Sequence, residues 1–220
     1  MKNFIMAIDG PAGSGKSTIA KILAEKNNLT YLDTGAMYRM VALYFFENNV
    51  DLDNDMEVKI NLSKIKMDIE KDKFILNGRD VSKDIRTPRV SGLVSFVARI
   101  KRVREKLVEL QREISRGKNV VLDGRDIGTV VFPNAPLKIF LVASPEERAK
   151  RRMKEYEEKG IKEDFESVLA NIKERDMIDS TRSEGPLKKA DDAVEIDTSF
   201  MTIEEVTDEI TRLVKEKTGE

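Results

Sequence analysis

Gly10-Pro11-Ala12-Gly13-Ser14-Gly15-Lys16-Ser17-Thr18 fits G-x-x-x-x-G-K-[ST], the pattern of a phosphate-binding loop. The spacing has a mechanism. Glycines let backbone N–H groups turn inward around a β-phosphate, and the helix that follows aims its positive end at the same anion. Lys16 reaches the β/γ oxygens, and the Ser17 hydroxyl suits a Mg²⁺ ion. The flanks supply the required context. Phe4-Ile5-Met6-Ala7-Ile8 reads as a buried parallel strand, and Ile19, Ala20, Ile22, Leu23 and Ala24 recur at helical spacing after the loop.

Outward from this unit, Thr30-Tyr31-Leu32 is a short second strand. Met37, Met40, Val41, Tyr44 and Phe45 then mark an amphipathic helix that Asp33 or Thr34 can cap. Residues 51–60 turn polar and acidic. At Ile65, Met67 and Ile69 the period drops to two. Lys71-Asp72 reads as a turn, Phe74-Ile75-Leu76 as a strand, and Asn77-Gly78 as a hairpin turn with Val81 continuing beyond it. These residues predict a small antiparallel meander with a structural covering role. From 87 to 116 the pattern is helical, with Val103, Leu107, Leu110 and Ile114 on one face and Gly117 as the stop.

Val120-Val121-Leu122 and Leu137-Lys138-Ile139-Phe140-Leu141-Val142 are further buried strands. Ser144-Pro145-Glu146-Glu147 has the offsets of a capping box, and Arg148, Arg151 and Arg152 share the face of the helix it opens. Residues 153–163 are charged and contain Gly160, which suits a mobile segment. Phe165, Val168, Leu169 and Ile172 carry another helix into Arg175-Asp176. Ala193-Val194-Glu195-Ile196 is the last strand, and Val206, Ile210 and Leu213 give a closing helix. Five apolar strands alternating with helices predict a three-layer α/β fold around a parallel sheet, with the meander inserted.

Composition narrows the chemistry. The 220 residues include 39 basic and 40 acidic side chains, a net charge of -1, so no overall basic excess draws the chain to nucleic acid or anionic membrane. There is no cysteine and no histidine, which excludes disulfides, thiolate zinc sites, a cysteine nucleophile and histidine acid/base chemistry. No signal peptide or apolar run near 18 residues is visible, so a cytoplasmic location is expected, and with no obvious uncovered apolar face a monomer is expected. The Lys/Glu bias is compatible with a thermophilic source.

In such sheets ligands bind at the carboxyl ends of the strands, where residues 10–18, 33–39 and 123–126 fall, with 148–152 on a lid-like helix. Arg39, Arg125, Arg148, Arg151, Arg152, Arg175 and Arg182 exceed what one nucleotide needs, and the excess suits two phosphorylated substrates meeting head to head. A phosphate acceptor is already anionic and needs no carboxylate base. Arginine-rich positioning and a water-excluding lid would then suffice for phosphoryl transfer. Asp123, after an apolar strand, resembles a Walker B acid acting on the metal through water or orienting the loop.

Nearly the whole chain resembles the bacterial cytidylate (CMP) kinases of the nucleoside monophosphate kinase group. The resemblance is carried by 8–16, by Leu32-Asp33-Thr34-Gly35-Ala36-Met37-Tyr38-Arg39, by Asp123-Gly124-Arg125-Asp126-Ile127-Gly128-Thr129-Val130-Val131-Phe132-Pro133 and by Ile172-Lys173-Glu174-Arg175-Asp176. The run 123–133 and the meander are its more specific parts. It implies a P-loop kinase fold in one domain, with a core at about 1–32, 117–147 and 190–220. The monophosphate-binding subdomain would span about 33–116 with the insertion at 62–84. A lid at about 148–165 would be followed by an acceptor-binding segment at 166–189.

By the same resemblance, ATP–Mg²⁺ is held by residues 10–18 and Arg152, and transfer is served by Lys16, Arg125, Arg148, Arg151 and Arg182. Arg39, Arg125 and Arg182 would bind the acceptor phosphate, Ser95, Arg104 and Asp126 the cytosine edge, and Arg175 and Asp179 the ribose. Thr34 stands in the acceptor site where the family commonly has serine, and it keeps the hydroxyl. Read as residues alone, Arg104 also fits a solvated helix face, Ser95 a tolerated helix serine, and Arg151 and Arg152 salt bridges to Glu147 and Glu155. Other readings are a UMP, adenylate or shikimate kinase, or a nucleotide switch, although no Asn-Lys-x-Asp guanine-reading run is present.

Overall fold

A computed structural model describes residues 3–70, 73–158 and 160–219. The turn expected at Lys71-Asp72 lies outside them. In chain order the elements are β1 (Ile5–Asp9), α1 (Lys16–Lys26), β2 (Thr30–Asp33), α2 (Thr34–Glu47), α3 (Asp55–Ser63), β3 (Met67–Glu70), β4 (Lys73–Leu76), β5 (Arg79–Asp80), α4 (Pro88–Ala98) and α5 (Lys101–Ser115). They continue with β6 (Val120–Gly124), β7 (Leu137–Val142), α6 (Pro145–Glu158), α7 (Phe165–Thr181), β8 (Val194–Asp197) and α8 (Ile203–Thr218). A 3₁₀ turn, Asp84–Arg86, precedes α4, and a π-helical turn, Ile127–Val131, follows β6. The chain divides into two compact units, one of Met1–Asp33 with Arg112–Glu220 and one of Thr34–Gln111.

In the first unit, among the described residues, five parallel strands form a sheet in the order β2-β6-β1-β7-β8. Parallel strands are covered on both faces, which is why β1, β6 and β7 read as apolar runs rather than alternations. Met6, Ile8, Val121, Ile139 and Leu141 pack with Ile19, Ala20 and Leu23 of α1 and Val206, Ile210 and Val214 of α8. Burying each such side chain fully is worth about 1.5–3 kcal/mol. Register aligns Asp9 with Gly124, Asp33 with Asp123, and Val142 with Asp197. The carboxyl ends of these strands therefore lie level, and the polar residues beyond them meet at one edge.

The second unit pairs β3-β4-β5 in an antiparallel sheet. Asn77 and Gly78 both adopt positive φ, 49° and 82°, as a tight hairpin turn demands. Phe74, Leu76, Val81 and Ile85 are buried beneath it. Three local features add to the sequence reading. Asp55–Ser63 is a helix, started by Asn54, whose side chain accepts from the Glu57 N–H. The helical region 87–116 is two helices, interrupted at Arg99 and Ile100. The charged segment after 153 stays helical to Glu158. It closes with the Gly160 N–H on Glu157 O and the Ile161 N–H on Tyr156 O, the paired bonds of a Schellman ending.

Candidate functional site

The loop 10–15 runs directly from β1 into α1. Gly10, at φ 150°, tolerates no side chain, since a Cβ there would stand 2.1 Å from Leu141 O on β7. Ser14 Oγ donates to Pro11 O at 3.1 Å, and Lys16 Nζ donates to Pro11 O at 2.6 Å and lies 3.3 Å from Ser14 Oγ. Lys16 is buried, and burial together with the Arg125 charge depresses its ammonium well below the usual lysine range, against the pull of Asp123, Asp9 and Asp179. A phosphate arriving at this lysine would restore its charge.

Three elements converge on Asp123 at the end of β6. The Ser17 hydroxyl from α1 donates to one carboxylate oxygen and the Tyr31 hydroxyl from β2 to the other, both at 2.8 Å. Burial, with the neighbouring Asp33 charge, raises Asp123 to about 6, opposed by Lys16 and the two hydroxyls. Burial and the same two carboxylates raise the Tyr31 phenol. Ser17 and Asp123 thus present hard oxygen donors side by side, the chemistry Mg²⁺ prefers. Among the described residues no group of three metal-ligating side chains gathers into a cage.

Beside Lys16 stands an arginine–carboxylate cluster. Arg125 Nε donates to Asp179 at 3.0 Å, and Arg182 lies 3.5 Å from the other Asp179 oxygen. Burial alone would raise the Asp179 carboxyl, but Arg125, Arg182 and Arg175 together hold it below the usual range. Arg182 also donates twice to Gly185 O, and Arg175 and Asp126 are buried in the same unit.

The three arginines of α6 part company. Arg148 is buried, with its guanidinium on Ala143 O, Ala12 O and, bidentately, Asp176 of α7 at 3.0 and 2.5 Å. To touch a phosphate it would have to exchange these partners. Arg151 bonds to the Thr198 hydroxyl and carbonyl, and Thr198 in turn donates to Ser14 O. Arg152 sits 3.6 Å from Glu155, the pairing its spacing allows, whereas Glu147 pairs with Lys150 rather than Arg151. The Glu147 N–H does donate to Ser144 Oγ at the start of α6.

In the second unit, Thr34 opens α2 and is buried. Arg39 donates to Ser91 Oγ at 2.6 Å and to Ile85 O at 3.3 Å. Arg104 is buried, with NH1 on Ala98 O and its guanidinium 5.5 Å from the Tyr38 ring. A solvated helix face is therefore excluded for it. Ser95 is also buried, and among the described residues its Oγ has no hydrogen-bond partner. Such a group is unusual in a folded chain and points to a ligand or water.

Tyr31, Thr198, Asp176 and Asp9 take part in these networks and were not singled out in the sequence. Asp9 and Asp176 fall within the stretches that carry the resemblance, and Asp9 is also a carboxylate closing an apolar strand just before the loop.

A family model described as cytidylate kinase matches residues 6–216. Proteins named cytidylate kinase from Fusobacterium nucleatum subsp. nucleatum, Thermosipho melanesiensis and Clostridium botulinum are 59%, 53% and 51% identical to the chain. The alignments cover 98%, 96% and 98% of this chain and 99%, 97% and 99% of those proteins. Among solved structures, a shikimate kinase from Bacteroides thetaiotaomicron aligns with TM-score 0.50 over 96% of this chain and 98% of its own. At 13% identity that likeness concerns the fold alone. With a phosphate loop, a parallel sheet and an arginine cluster beside the loop lysine, and with relatives matched from end to end, the chain belongs to the cytidylate kinase family.

Proposed function

We propose that this chain transfers the γ-phosphoryl group of ATP to CMP or dCMP in a direct in-line step, as a cytoplasmic monomer. Family membership supports the substrates. The observation that carries the chemistry is the placement of Arg125, bound to an Asp179 carboxylate that Arg182 also approaches, close enough to Lys16 for the two cations to oppose each other. Facing cations of this kind are relieved by phosphoryl oxygens and stabilise charge that spreads over them during transfer.

In this reading the backbone of 10–18 cradles the donor phosphates, with Lys16 turning from Pro11 O to a phosphate oxygen. Ser17 and Asp123 would hold Mg²⁺, Asp123 through water. When bound, the ion would neutralise charge on the donor phosphates. Arg125 and Arg182 take the acceptor phosphate, Arg175 and Asp179 the ribose, and Asp126 the cytosine amino group. By the family resemblance Thr34, Arg39, Ser95 and Arg104 would also contact CMP, and the Ser95 hydroxyl, without a hydrogen-bond partner among the described residues, supports a ligand at that serine. The acceptor oxygen is anionic on arrival, so a chain without histidine lacks nothing the step needs. Residues 148–165 would close over the site, rooted by Arg148 on Ala12 and Asp176, with Arg151 and Arg152 toward the donor.

An acceptor panel read by coupled ADP release tests this. CMP and dCMP should support turnover well above that with UMP, AMP, shikimate or no acceptor. Preference for AMP or shikimate, or equal hydrolysis without acceptor, would overturn the proposal.

A further inference from the structure

The turn that carries on from Arg125 and Asp126 is held from outside itself. Ile127–Val131 is π-helical, and the residue at its head, Asp126, makes no side-chain bond to the turn's leading N–H groups. Those groups, on Ile127 and Gly128, donate instead to Asp9, one to each carboxylate oxygen, at 2.8 and 2.7 Å. Asp9 is the last residue of β1, and the next residue, Gly10, begins the phosphate loop. One side chain therefore joins the strand leading into the donor loop to the backbone bearing two residues assigned to the acceptor.

The surroundings keep water from this joint. Asp9 is buried, and Lys138 lays its stem against Gly128 while its ammonium is fixed on Pro133 O and Asp192. A methyl group added at Gly128 would stand 3.1 Å from Lys138 Cδ and 3.4 Å from Asp9 Oδ2, so the packing closes there. Burial pushes the Asp9 carboxyl up to about 7, with Asp126 adding to the rise and the two N–H bonds and Lys16 opposing it. Keeping an ionisable group in such a place disfavours folding, a common mark of residues retained for a site's geometry.

We infer that Asp9 is a positioning residue for acceptor recognition, fixing through Ile127 and Gly128 the backbone that presents Arg125 and Asp126 at a set distance from the donor loop. The inference rests on the reading that those two residues meet the acceptor nucleotide. It extends that reading to specificity. A cytosine amino group is read by a carboxylate only if the carboxylate is held in place, and a displacement near 1 Å can cost about a hundredfold.

Asp9→Asn keeps the shape but turns an NH₂ group toward one of the two N–H donors. In the full-length protein it should raise KM for CMP by about tenfold or more, shrink the CMP-over-UMP preference, and leave KM for ATP within about twofold. Asp126→Ala should lose the same preference. The double variant should lose no more of the CMP-over-UMP preference than Asp126→Ala alone, because Asp9 bears on the base only through Asp126. Gly128→Ala, which presses on the same carboxylate and on the Lys138 stem, should repeat the pattern and decides the matter if Asp9→Asn does not fold. Equal damage to ATP and CMP use, or an additive loss of base preference in the double variant, would overturn the inference while leaving the kinase reading intact. A wild-type enzyme with no preference for CMP would overturn that reading and this inference with it.

Discussion

Replacing Asp9 by asparagine should flatten the pH dependence of stability between about pH 4 and 7, and the size of the effect follows from the site. The carboxyl has an ordinary value of 3.8 and is raised to about 7 in the folded protein. The native state therefore keeps its proton where the unfolded chain has lost it. Stability from this group is fully present below about pH 4, falls as pH rises, and is gone once pH passes about 7. At about 1.4 kcal/mol for each tenfold in the ionisation constant, the full loss is about 4 kcal/mol, half of it spent by about pH 5.5. Asparagine cannot ionise and has no such slope. It adds a penalty of about 1–3 kcal/mol for the N–H it fails to satisfy, but that penalty does not vary with pH. Urea unfolding of both proteins from pH 4 to 7.5 at fixed ionic strength separates the two contributions. The gap between the curves should move by about 4 kcal/mol in favour of Asp9→Asn as pH rises. Parallel curves would mean that Asp9 ionises normally in the folded protein and that its burial has been misjudged.

Lys16→Ala should melt close to the wild type and lose activity about a hundredfold to a thousandfold, as when a transition-state donor is removed; near-normal turnover would break the donor-loop assignment. Ser95→Ala removes a buried hydroxyl that has no partner among the described residues, so stability should change by less than about 0.5 kcal/mol while KM for CMP rises. A clear destabilisation with unchanged KM would show the hydroxyl to be structural. Asp176→Ala takes the carboxylate from the buried Arg148 guanidinium, leaving only its carbonyl partners, and should lower unfolding free energy by about 3 kcal/mol, measured by chemical denaturation; an unchanged midpoint would show the pair to be dispensable.

The elements legible in the sequence are those whose physics is local. A five-residue apolar run, a glycine-rich turn and a helical repeat define β1, the loop and α1 without reference to anything distant. Asn77-Gly78 likewise announces its hairpin. Strand order was not legible, because the placement of β6 between β1 and β2 depends on packing across the chain. Asp55–Ser63 hid because it is short and its apolar residues do not share one face: Val58 and Leu62 are buried while Met56 and Ile60 are exposed, which leaves a faint repeat. The break at Arg99 and Ile100 has no glycine or proline to mark it. At the site, arginines could be counted from the sequence but their partners could not. Arg148 and Arg151 sit three apart on one helix, yet one is bound to Asp176 and the other to Thr198, residues far along the chain. Ser95 and Arg104, ambiguous as letters, become informative once their burial is known.

The order β2-β6-β1-β7-β8 also sets a timetable for the nascent chain. When β1 and β2 leave the ribosome, the strand that must lie between them has not been made, and all of Thr34–Gln111 is translated first. At ~5–20 residues per second that wait lasts several seconds. During it Ile5–Asp9 and Thr30–Asp33 would have unsatisfied edges, while the middle segment has all of the residues of its own hairpin and helices. Pulse proteolysis of stalled chains of increasing length should find 34–111 protected before 5–33. Early protection of 5–33 would show that the amino-terminal strands shelter by some other pairing until Val120–Gly124 arrives.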